Sequence, residues 1–64
     1  MASSVYDIIR EEKRQRAARY REQAAHFETI ARGGVERPDR QRLLEMATQY
    51  EGLAQRLEED LSRA

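Results

Sequence analysis

The chain has 64 residues, 38% of them charged, with twelve basic side chains balanced by twelve acidic ones and no cysteine. The balance excludes a global pull toward nucleic acid or an anionic membrane, and the lack of cysteine excludes disulfides and thiolate metal sites. At this length one chain buries only a small core, so a partner is expected, most simply a second copy.

The opening Met1-Ala2-Ser3-Ser4 has no basic stretch followed by an apolar one, so no signal peptide is expected. No apolar run approaches the roughly 18 residues of a membrane span. Together with the absence of cysteine, this leads us to expect a cytoplasmic protein without membrane contact. Eleven of the twelve basic residues are arginine, which suggests a GC-rich genome.

Ser4 with Asp7 three residues later has the spacing of a capping box, with Asp in place of Glu or Gln, and predicts a helix over 4–32. No Gly or Pro interrupts it. Its stripe is Ala17, Tyr20, Ala24, Phe27 and Ala31, continued toward the start by Tyr6, Ile9 and Lys13. The segment Arg10–Arg16 interrupts that stripe with charge. Gly33-Gly34 supplies the left-handed cap that ends helices, which places a turn at 33–37.

Pro38 suits the first turn of a second helix, where its missing N–H would lack a partner anyway. Asp39 adds negative charge at the favourable end of the helix dipole. The second helix is expected over 38–62. Leu43, Ala47, Tyr50, Ala54, Leu57 and Leu61 recur at spacings of four and three, the period of a helix and not of a strand. Gly52 costs this helix about 1 kcal/mol relative to Ala and suggests the close approach of another helix.

A short turn makes the helices antiparallel neighbours. The expected fold class is therefore all-α, an antiparallel two-helix hairpin over 1–64 that dimerises into a four-helix bundle. Two registers compete. In the tight one, Phe27 lies near Leu43, Tyr20 near Tyr50 and Ile9 near Leu61. In the overhanging one, Phe27 faces Ala47 and Tyr20 faces Ala54. The tight register is preferred because it uses both ends of the chain. Charge agrees with antiparallel pairing: residues 10–21 carry six basic and two acidic groups, residues 49–60 four acidic and one basic.

Several apolar residues fall outside the intrachain stripe: Ile8 and Ile30 on a flank of the first helix, Leu44 on one flank of the second, Met46 and Leu53 on the other. These five are the expected partner or dimer interface, because a two-helix layer cannot cover both of its faces. The three tyrosines and Phe27 read as core.

Nothing in the sequence points to catalysis or to a cofactor. His26 is the only histidine, and no cysteine or second histidine can join it around a metal. Ser3, Ser4 and Ser62 lie at chain ends with no nearby histidine to activate them. The acidic run Glu58-Glu59-Asp60 lacks the spacing and glycine of a calcium loop. Gly33-Gly34 is no phosphate loop, because neither a preceding strand nor a following Gly-Lys-Ser/Thr is present.

The basic segment carries a competing reading. Arg10, Arg14, Arg16, Arg19 and Arg21, with Tyr20 among them, have the chemistry to grip phosphates and stack on a base. Pairing with the acidic half of the second helix is the plainer expectation. Lys13 and Arg16 sit on or beside the core stripe, so either they reach Glu58 or Asp60, or the hairpin opens at that end.

The run Ala24-x-x-Phe27-x-x-Ile30-Ala31, then Pro38-Asp39, Leu43-Leu44 and Ala47-x-x-Tyr50-x-x-Leu53-Ala54, resembles small uncharacterised helical-hairpin proteins of GC-rich bacteria. The likeness spans about Ala17 to Leu57 and implies an architecture without an activity. In size and shape the chain is also similar to the Rop RNA-binding hairpin, a dimeric four-helix bundle. That likeness is architectural, because the arginines here do not match Rop's RNA-contacting face residue by residue. The sequence thus leads to a non-enzymatic protein–protein interaction module, an adaptor, regulator or inhibitor that self-associates. A Rop-like nucleic-acid-binding dimer and an accessory subunit docked on a larger protein are the alternatives.

Overall fold

The computed structural model describes residues 4–63, so Met1–Ser3 and Ala64 lie outside it. Two helices, α1 (Val5–Arg32) and α2 (Arg37–Ser62), fold back on each other as a hairpin, and no strand occurs among the described residues. Ser4 stands just outside α1 in an extended conformation, and its hydroxyl oxygen accepts from the Asp7 N–H at 3.1 Å. The helix therefore begins at Val5 and not at Ser4: the cap residue gives its carbonyl to Ile8 N–H without adopting helical backbone itself.

The turn also differs in detail from expectation. Gly33 is right-handed, at φ −82°, and donates its N–H to the Ile30 carbonyl at 3.0 Å. This bond tightens the last turn, and Gly34, the residue after the cap, takes the left-handed conformation expected of the Gly33-Gly34 pair, at φ 89°. Glu36 is extended and its carbonyl accepts from Arg40 N–H at 2.9 Å. Helical backbone thus starts at Arg37, one residue earlier than expected, and the turn shortens to 33–36. Pro38 still lies in the first turn, where no N–H is needed.

The two helices form one layer. The Cα trace measures 53 × 20 × 11 Å and its radius of gyration is 15.3 Å, against about 10.7 Å for a compact chain of this length. One helix pair cannot close around a core, and burial shows it. The only buried apolar residues among those described are Ala17, Ala24, Ala31, Ala47 and Ala54. They recur every seven residues on each helix, which puts small side chains where the two backbones meet.

Candidate self-association surface

Tyr20, Phe27, Leu43, Tyr50, Leu57 and Leu61 are half-buried beside the alanine seam. The Tyr50 ring lies between two rings of α1, 5.8 Å from Tyr20 and 5.5 Å from Phe27, the latter stacked. The Tyr20–Tyr50 contact is the one the tight register requires. Phe27 joins it because helical side chains lean toward their own N-terminus, which tilts the rings of Phe27 and Tyr50 toward each other along antiparallel helices. At the open end, Arg10 Nη2 donates to the Leu61 carbonyl at 3.2 Å, so the hairpin stays closed there.

Helical spacing assigns each flank of the seam. The residue four after an alanine lies on one side: Arg21 and Glu28 on α1, Glu51 and Glu58 on α2. Arg21 forms a two-pronged ion pair with Glu58, its Nε lying 2.9 Å from Oε2. The hydrogen bond, then the charge, of Arg21 holds the Glu58 carboxyl below the usual glutamate range. One heptad nearer the turn, two like charges meet. A hydrogen bond with Glu28, partial desolvation and the charge of Glu28 push the Glu51 carboxyl up. The sequence reading missed this pair, although its position was legible: Glu28 and Glu51 stand seven residues from Arg21 and Glu58 on their respective helices.

The residue one before each seam position lies on the other side, next to the half-buried aromatic row. Here stand Ile9, Arg16, Gln23 and Ile30 on α1, and Asp39, Met46, Leu53 and Asp60 on α2, the four apolar ones all close to 40% exposed. Three of the five expected interface residues, Ile30, Met46 and Leu53, therefore share one face with the aromatic row. Leu44 lies on the charged flank and Ile8 on the outer surface of α1, at 45% and 59% exposure. Ile9 belongs to the apolar face, a placement that the sequence expectation of a seam contact with Leu61 did not give.

Tyr6 corrects the expectation of three core tyrosines, being 79% exposed. It lies one turn beyond Arg10, which already reaches Leu61 near the end of α2, so no residue of the second helix remains to cover it. Gly52 also behaves differently from expectation. A methyl group added there would meet nothing within 4 Å, so α1 makes no close approach to it.

Most of the basic segment is committed within the chain. Arg14 pairs with Glu11 at 2.7 Å and Arg16 with Glu12 at 2.9 Å. Arg10 and Arg21 are held by α2. Of the five arginines weighed for phosphate contact, only Arg19 makes no hydrogen bond or ion pair among the described residues. Neither alternative for Lys13 and Arg16 is seen: Arg16 turns back along its own helix, Glu58 is taken by Arg21, and Lys13 stays half-buried without an ion pair.

His26 is exposed, its ring 6.3 Å from that of Phe27. Among the described residues no group of three or more His, Cys, Asp or Glu side chains could hold a metal ion, and no helix is long and apolar enough to cross a membrane. The concave surfaces are open troughs along single helices, such as that of Asp7, Ile8 and Glu11. Comparison with protein-family models, curated proteins and solved structures finds no significant match to the chain.

Proposed function

We propose that the chain is a small non-enzymatic protein–protein interaction module whose working form is a homodimer, two hairpins stacked as a four-helix bundle. Adaptor, regulator and inhibitor roles in the cytoplasm all suit such a unit. One observation carries the reading: among the described residues every buried apolar side chain is an alanine, while Ile9, Ile30, Met46 and Leu53 stand near 40% exposure on one face beside half-buried rings. Completing the burial of such side chains is worth about 1 kcal/mol each, and a second copy supplies the same apolar face in return. Four committed arginines leave the nucleic-acid reading without comparable support. Sedimentation equilibrium tests the proposal: a dimer is expected at micromolar concentration, and a folded monomer there would reject it.

A further inference from the structure

We infer that the apolar face pairs with that of a second copy about a twofold axis perpendicular to the helices, at the level of Tyr20 and Tyr50, so that the two turns lie at opposite ends of the dimer. This rests on the self-association reading and adds the geometry of the contact. On α1 the exposed apolar residues of this face are Ile9 and Ile30, whose midpoint falls between residues 19 and 20. On α2 they are Met46 and Leu53, whose midpoint falls between residues 49 and 50. The two midpoints share one level of the hairpin, because the rings of Tyr20 and Tyr50 lie 5.8 Å apart. The apolar pattern of each helix is thus its own mirror about a common centre. A twofold axis through that centre sets Ile9 on the partner's Ile30 and Met46 on the partner's Leu53, as a self-complementary interface requires.

The opposite arrangement, with both turns at one end, lays α1 on the partner's α2 at the levels these helices already share within one chain. Tyr20 and Tyr50 share a level, so Ile9 falls level with Leu61, beside Asp60 on this face, and Ile30 falls level with Arg40, beside Asp39. Isoleucine against carboxylate covers neither. The same axis brings Asp39 level with the partner's Asp60, an exposed like-charge contact that water and salt screen, so apolar pairing and not charge selects the axis.

A distance measurement between turns decides the matter. The chain has no cysteine, and Glu36 makes no side-chain capping bond, so Glu36→Cys accepts a nitroxide label with little disturbance. At a concentration where sedimentation shows a dimer, dipolar electron spin resonance should read about 45 Å, the helical rise from the axis to each turn doubled. A distance near one or two interhelical spacings, about 10–20 Å, would overturn the axis and leave self-association standing. A broad distribution spanning both ranges would overturn it too, because no single axis would then exist. A monomer by sedimentation would remove the underlying reading and this inference with it.

Discussion

The two flanks of the alanine seam solve different problems with the same helical geometry. The charged flank is finished within the chain: Arg21 clasps Glu58 across the helices, and Glu28 beside Glu51 is tolerated because water reaches both. The apolar flank is unfinished, since Ile9, Ile30, Met46 and Leu53 have no second layer to cover them. Long charged side chains can reach a partner over a distance and stay hydrated. Apolar ones are covered only by direct packing, so a two-helix unit closes one flank and leaves the other open.

The sharpest way to break this comparison is to spoil the seam that both flanks depend on. Ala54 is 0% exposed, so Ala54→Leu should force the helices apart and cost about 2–3 kcal/mol in a thermal or denaturant melt. A neutral result would mean that the helices do not meet on alanine. Next comes the apolar flank itself. Leu53→Ala should cost about 1 kcal/mol per chain, so about 2 per dimer, and raise the dissociation constant roughly thirtyfold by sedimentation. Helical circular dichroism should change far less than association does.

Gly52 sharpens the same point from the outer surface of α2. With open space where a methyl would go, Gly52→Ala should raise stability by about 1 kcal/mol through helix propensity alone. A loss instead would reveal a neighbour pressed against Gly52 in the assembled form.

The smallest effects belong to the charged flank, where screening by water and salt is strong. The carboxyl of Glu58 is held below the ordinary glutamate range, so its pairing with Arg21 contributes at higher pH and is lost as pH falls through that lowered value. The carboxyl of Glu51 is raised, so its ionised form is disfavoured in the fold, and stability should climb slightly as pH falls through the raised value. Melting temperature should therefore show a shallow maximum on the acidic side. Glu51→Gln should remove the climb and keep the fall, and high salt should flatten both. A profile unchanged by Glu51→Gln would show that Glu28 and Glu51 do not interact.

Much of this hairpin is written in local sequence. Ser4 before Asp7, uninterrupted helix formers, Gly33-Gly34 and Pro38-Asp39 set two helices and a turn to within one residue at each boundary, because caps and breakers act on the backbone a few positions away. Seven-residue spacing of alanine marked the contact line for the same reason. The partition of the remaining side chains is different. That Ile9 joins Ile30, Met46 and Leu53 on one face, that Glu28 meets Glu51, that Arg16 folds back to Glu12 and that Tyr6 overhangs the end of α2 all depend on register and on how far one helix outruns the other. Those quantities exist only once two helices lie side by side. Periodicity names the stripe of a single helix, and only the pairing decides which of its edges stays in water.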